Sequence, residues 1–190
     1  MNLYIRKHTK LSFKKSEEMT EFYRSLQIDY PKFFKMDNLS KLGFLASELI
    51  LNDFADKETG KEDMAIVLWN RSSSLDTDSI YQKTIQSAKN YYPSPSVFVY
   101  TLPSIVVGEI AIRNKICGET AFYISEKWDA QTVYNTVFSL FLQPDVRFVL
   151  CGWVECFQEN YETIMYLVTT ENEHSPEFTI ENITKIDNYK

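Results

Sequence analysis

Glycine is scarce in this chain, with five in 190 residues, and neither GxGxxG nor GxxxxGK[ST] occurs. Glycine-built phosphate cradles are therefore not expected. Cysteine is almost as rare. Cys117, Cys151 and Cys156 cannot make a disulfide framework, and their spacing does not match a zinc pair. No apolar run reaches about 18 residues, which argues against a membrane span. The opening segment, MNLYIRKHTK, has no apolar h-region, so a cytoplasmic location is expected. The sequons Asn38-Leu-Ser40, Asn70-Arg-Ser72 and Asn182-Ile-Thr184 then read as chance matches. A basic excess is also missing. The net charge is −6, which disfavours nucleic acid as a partner. Lys7, Lys10, Lys14 and Lys15 cluster, but Glu17 and Glu18 follow, so this stretch reads as a solvated face, with a local patch for an acidic protein as the alternative.

What the chain has in quantity is aromatic side chains: 13 Phe, 12 Tyr and 3 Trp. A chain of this size hides about 70% of its unfolded surface, enough for one core without staples. One domain over residues 1–190 is expected, with no repeat and no linker.

Periodicity gives the elements. In MDNLSKLGFLASELILN the apolar residues fall on one helical face, and Asp37 or Asn38 can cap the start. EEMTEFYRSLQIDYPKFF is moderately helical up to Pro31. Met64 to Trp69 fits a short buried strand. RSSSLDTDSIYQKTIQSAKN opens with serines and acids, as helices do. VFVYTLPSIVVGEIAIRNK should pass from an extended piece into a helix, with Pro103 in its first turn. WDAQTVYNTVFSLFLQ reads as a helix and VRFVLCGWVE as a second buried strand ending at a tight Gly152 step. ETIMYLVTTE and PEFTIENITKI read as two more strands, a hairpin through NEHSP. The sum is an α/β layer on a mixed sheet.

The chemistry-bearing residues are modest. Cys151 and Cys156 suit structural roles, whereas Cys117, beside Gly118, can be partly exposed. His8 and His174 lie in polar terminal regions. The carboxylate pairs Glu17/Glu18, Asp53/Asp56, Glu62/Asp63 and Asp76/Asp78 read as caps or solvated faces. The most suggestive stretch is GETAFYISEKWDAQ. A strand, Ala121 to Ser125, breaks sharply at Glu126-Lys127 before a helix, the geometry that exposes a nucleophile in many α/β enzymes. Ser125 has no G-x-S-x-G around it, and nothing marks Lys127 as a perturbed amine.

Three stretches resemble a known family. KMDNLSKLGFLASELIL, PSVFVYTLPSIVVGEIAIRNKICGETAFYI and DVRFVLCGWVE are similar, in order and spacing over about residues 35–170, to the N-terminal half of the β-ketoacyl synthases, including the short synthase-like proteins and, more distantly, the chain-length factors. The resemblance implies an α/β, thiolase-like half-fold: a mixed five-stranded sheet with helices packed on it. It places the family's catalytic cysteine at Lys127, within one position, and its catalytic histidines in a C-terminal half to which His174 has no matching context. It therefore implies a non-catalytic subunit with no cofactor and no metal. The implied partner is a ketosynthase-like chain or a second copy, with an acyl carrier protein as a further candidate, in fatty-acid, polyketide or aryl-polyene-type synthesis. It also implies that Ala121, Phe122, Tyr123, Ile124 and Ser125 form a dimer-edge strand, and that a half-fold leaves one face of its layers for a partner. The alternatives are a split condensing enzyme completed by a second chain, and an unrelated hydrolase or transferase using Cys117 or Ser125.

Overall fold

The computed structural model describes residues 1–52, 57, 59–89, 91–172 and 174–188. The Asp53/Asp56 pair lies outside the described residues. A strand, β1 (Tyr4–Phe13), opens the chain, followed by helix α1 (Ser16–Ser25), a 3-10 turn at Pro31–Lys35 and helix α2 (Asn38–Leu51). Then come β2 (Met64–Asn70), α3 (Leu75–Ile85), the single turn α4 (Pro95–Phe98), a 3-10 turn at Val99–Thr101 and α5 (Ile105–Asn114). The remainder is β3 (Thr120–Ile124), α6 (Ala130–Leu140), β4 (Phe148–Phe157), β5 (Asn160–Thr169) and α7 (Ile180–Asn188).

The five strands form one mixed sheet in the order β1-β5-β4-β2-β3. β2 runs parallel to both β3 and β4, whereas β5 is antiparallel to both β4 and β1. β2 is buried along its whole length, as a parallel strand covered on both faces must be. One face packs α1, α2 and α5 through Tyr23, Leu42, Phe44, Leu45, Val106 and Ile110. The other packs α6 and α7 through Val133, Val137, Leu140 and Ile183.

Several expected elements change. β1 is a strand where only a mixed-charge segment is expected. It is an edge strand, and Lys7, Lys10 and Arg6 along it break the alternation; charge on an edge is a common device against unwanted pairing. The segment expected as a last strand, PEFTIENITKI, is the helix α7. Its β-branched composition suggests a strand, but Ile180, Ile183 and Ile186 recur at a three-residue spacing that only a helix puts on one face. Thr179 Oγ1 accepts from Asn182 N at 3.2 Å and supports its start. The hairpin is accordingly β4–β5, turned by Gln158 and Glu159, both at positive φ (51° and 62°), the geometry of a primed two-residue turn. The expected extended piece before α5 is helical: Ser94 caps Val97 N, and Pro95 takes the first-turn position. Pro103 instead precedes the α5 cap, Ser104. Gly152 sits mid-strand, not at a strand end.

Candidate functional site

The elbow is built by hydrogen bonds at both ends. β3 ends at Ile124, and Ser125 N donates to Asn70 O at 2.8 Å, fastening the turn to the end of β2. Ser125 Oγ donates to Lys127 O at 2.9 Å, so its hydroxyl serves the turn. Asp129 then caps α6, accepting from Thr132 N at 2.8 Å and from Thr132 Oγ1 at 2.6 Å. These bonds hold its carboxyl below the usual carboxylate range. Lys127 is exposed and stands two residues ahead of that cap, outside the helix.

Trp128 is the elbow residue that packs inward. Its ring is edge-on to Trp69 at 6.0 Å and to Trp153 at 6.4 Å, and parallel to Tyr166 at 6.2 Å. All three tryptophans of the chain thus meet beneath the turn. Beside them on β4, Glu155 is 2% exposed; its Oε2 accepts from Arg71 N at 2.8 Å and Ser72 N at 3.3 Å. Sequence reasoning missed this cluster. The one signal was the alternation on β4, which puts Trp153 and Glu155 on the same face as Cys151.

The structure keeps the nucleophile candidates apart from the histidines. His8 lies on β1 and stacks on Tyr166 at 6.1 Å; His174 lies in the loop after β5, near Pro176, whose carbonyl accepts from Ile5 N. Cys117 and Ser125 flank β3, at the opposite edge of the sheet. Four strand spacings separate those edges, about 19 Å. Cys117 is exposed. Cys151 is fully buried and desolvation pushes its thiol up; Cys156 is buried, 3.8 Å from Asp76 Oδ2, and burial followed by that carboxylate pushes its thiol up as well. Both are poor sources of thiolate.

Of the described carboxylate pairs, Glu17/Glu18 and Asp76/Asp78 hold backbone and side-chain partners, and not all of these residues are solvated. Glu18 Oε2 accepts from Lys14 N at 2.9 Å. Asp76 faces inward, accepting from Asn38 Nδ2 at 3.1 Å. Asp37, the α2 cap, accepts from Ser40 N at 2.9 Å and Thr77 Oγ1 at 2.8 Å. Burial nevertheless raises its carboxyl above the ordinary 3.8, outweighing those bonds, with Asp76 adding to the rise. The folded state thus binds this proton more tightly than the unfolded chain. The Asp37 contribution to stability is therefore most favourable below the ordinary value of 3.8 and declines as pH rises through the folded value. Asp37→Asn retains an oxygen for Ser40 N and removes that decline. Urea midpoints measured upward from about pH 4 should be flatter for the variant than for the parent; identical pH profiles would refute the assignment.

Exposed apolar side chains do not lie where a bare layer would put them. The outward residues of α6 include Gln131, Thr132, Asn135 and Ser139, a polar face. Exposed apolar residues include Tyr123 and Ile124 on β3 and Leu75, Ile80, Phe98, Val99 and Leu102 around α3 to α5, with Phe34, Ile112, Leu142 and Ile180 exposed elsewhere. Ser74 Oγ donates to Thr101 O at 2.7 Å, tying this second region to the loop that also receives Ser125 N through Asn70.

No single described helix is long and apolar enough to cross a membrane. No family model and no curated protein matches the sequence. Solved structures do match. The ishigamide ketosynthase/chain length factor aligns with a TM-score of 0.72 at 15% identity, over 91% of this chain and 63% of that one. A ketosynthase (ApeO) in complex with its chain length factor (ApeC), from Xenorhabdus doucetiae, aligns at 0.61 and 13% identity, over 90% of this chain and 80% of that one. A type II polyketide synthase acyl-carrier protein in complex with its ketosynthase (AntDE:AntF) aligns at 0.59 and 11%, over 91% of this chain and 63% of that one. The chain thus spans 63% of the length of the first of these. At such identities the likeness is one of fold: the protein has the α/β, thiolase-like architecture, with its mixed five-stranded sheet.

Proposed function

We propose that this protein is a non-catalytic, ketosynthase-like subunit that pairs through β3 with a ketosynthase or with a second copy, in a pathway that builds acyl chains on a carrier protein. The observation that carries the reading is the outer edge of β3. In a parallel ladder alternate residues bond to one neighbour. Ile66 N donates to Glu119 O, and Ser125 N donates to Asn70 O, so the odd-numbered residues of this stretch face β2. The backbone groups of Thr120, Phe122 and Ile124 therefore point away from the sheet, and no strand covers them among the described residues. An antiparallel mate related by a two-fold axis would pair Phe122 with its equivalent and Thr120 with Ile124, continuing the sheet. Tyr123 and Ile124 would be buried by it, and the apolar region of α3 to α5 would extend the contact. Lys127 at the elbow supplies no thiolate, and the Ser125 hydroxyl is spent on the Lys127 carbonyl, which favours pairing over catalysis.

The test exploits the ladder's parity. Proline removes the N–H and fixes φ at about −65°, and edge strands tolerate it where that N–H faces outward, as at residue 124. Ile124→Pro should keep the fold, by circular dichroism and melting temperature, yet weaken self-association or binding to a genomically neighbouring ketosynthase about 100-fold, read by native mass spectrometry and titration. Leu142→Asp, exposed on the loop after α6, should leave association unchanged. Wild-type-like association by Ile124→Pro would disprove pairing through β3. A parent chain that stays monomeric and binds neither ketosynthase nor carrier protein would disprove the function.

A further inference from the structure

β1 forms the sheet edge opposite β3, and the direction of its backbone groups follows from the β4–β5 hairpin. Gln158 and Glu159 make a two-residue turn, so the flanking pair Phe157 and Asn160 exchanges both hydrogen bonds. Even-numbered residues of β5 therefore bond to β4, and odd-numbered ones bond to β1. The partners of the odd-numbered ones are Tyr4 before the register shift at Arg6, and Lys7, Thr9 and Leu11 after it. Leu3 and Ile5 must then face outward, and they do: Ile5 N donates to Pro176 O at 2.8 Å, and Phe178 N donates to Leu3 O at 2.7 Å. The chain thus lays a short antiparallel segment on its own edge, bridged at Tyr4 and Glu177, before it turns into α7. Past the register shift, His8, Lys10 and Ser12 turn their backbone groups the same way. No strand lies against His8 or Ser12 on that side among the described residues.

Beside this edge runs an open groove of about 640 Å³ between β1 and α7. His8, Lys10, Asn182, Lys185 and Ile186 line it, with Pro176 of the chain's own added segment. Lys10 Nζ donates to Asp187 O at 2.6 Å, tying the strand to the end of the helix. The wall holds two lysines and, among the described residues, no carboxylate. A second copy of β1 is a poor occupant of this edge. Two-fold antiparallel pairing about His8, Lys10 or Ser12 would set Lys10 opposite Arg6, itself or Lys14 in turn, and like charges directly opposite destabilise a pair. We infer that β1 binds an extended acidic segment of a partner protein, which joins the sheet where the chain's own segment leaves it. The guest's backbone pairs with His8 and Ser12. His8 stacks on Tyr166, so the even-numbered side chains of β1 lie on the α7 face. Guest carboxylates at every second position fall on that face and meet Lys10 and Lys185. The basic N-terminal stretch thereby gains a role in recognition. The site lies at the far edge from β3 and does not rest on pairing there.

The probes are threonine nonapeptides tested on the full chain. One carries two glutamates at alternate positions, an isomer carries them at adjacent positions, and a third carries two lysines at alternate positions. The first, fluorescein-labelled, should bind with half-saturation below about 1 mM. The isomer keeps only one carboxylate on the α7 face and should bind about fivefold more weakly; the lysine peptide should lose at least about tenfold. Hydrogen exchange should slow at the His8 and Ser12 amides when the first peptide binds. N-methylation of alternate residues separates strand addition from charge attraction: one set should abolish binding and the other should be tolerated, because only one set of N–H groups faces β1. Lys185→Glu, at an exposed position of α7, should weaken binding at least about tenfold with the melting temperature kept. Ser12→Pro removes an outward N–H and gives an independent loss if Lys185→Glu disturbs the helix. No saturable binding, equal affinity for the three peptides, equal tolerance of both methylated sets, or parent-like binding by folded variants would each overturn the assignment.

Discussion

Replacing Gly152 by alanine should lower the unfolding free energy by about 3 kcal/mol. Gly152 sits in the middle of β4, paired with Met165 of β5. A Cβ there would stand 2.8 Å from Met165 Cα and closer still to the Ile164 carbonyl oxygen. Both are backbone atoms of a strand held on its other side by β1, so neither can swing aside as a side-chain tip would. The chain must spread the β4–β5 ladder or lose hydrogen bonds at the centre of the sheet. Gly108 provides the internal contrast. It lies within α5, and a Cβ there meets nothing within 4 Å. Gly108→Ala should raise stability by up to about 1 kcal/mol, because it relieves the entropic penalty of a helical glycine. Urea unfolding of both variants against the parent decides the matter. A Gly152→Ala protein with a parental midpoint would show that the close approach carries no weight.

Glu48→Ala should cost about 3 kcal/mol by a different route. Glu48 lies in α2 and is 4% exposed. Its carboxylate receives Lys57 Nζ at 2.6 and 2.7 Å, and Arg113 Nε and Nη2 at 3.0 and 3.1 Å. The guanidinium of Arg113 also lies over the Tyr30 ring at 4.7 Å, which fixes its plane. Lys57 and Arg113 keep only 19% and 18% of their side-chain surface exposed, so deleting the anion leaves two poorly hydrated cations facing each other. Burial already pulls the Lys57 amine below its ordinary value, and the Glu48 hydrogen bond opposes that pull. Removing one cation is a lesser insult, because the carboxylate keeps the other. Lys57→Met should therefore cost only about 1 kcal/mol. Equal losses in the two variants would mean that the triad is not a carboxylate shared by two cations. Chemical denaturation at low and high salt provides the comparison, and little salt dependence is expected for so enclosed a group.

The parts of the fold legible in the sequence are those where one physical rule dominated. The apolar face of α2 and its Asp37 cap, the unbroken apolar run of β2, and the elbow from β3 into α6 each follow from period, capping or burial on both faces. β1 was not legible because an edge strand rich in lysine need not alternate. α7 was not legible because the strand preference of its isoleucines and threonines hid their helical spacing. At the elbow, Lys127 and the strand before it could be placed from the sequence. Trp128 could not, because its partners Trp69, Trp153 and Tyr166 come from three different strands.

The sequence by itself determined the class of the protein: an α/β chain with a turn between β3 and α6 that carries Ser125, Glu126 and Lys127. Local spacing sets those features, since they depend on residues a few positions apart. Only the tertiary structure decided that β3 is an edge with three residues' backbone groups facing outward, that the histidines lie at the far side of the sheet from Cys117 and Ser125, and that Trp128 packs against Trp69, Trp153 and Tyr166 beneath the turn. Those facts depend on strand order, and strand order is fixed by contacts between residues far apart in the chain, which no local period records.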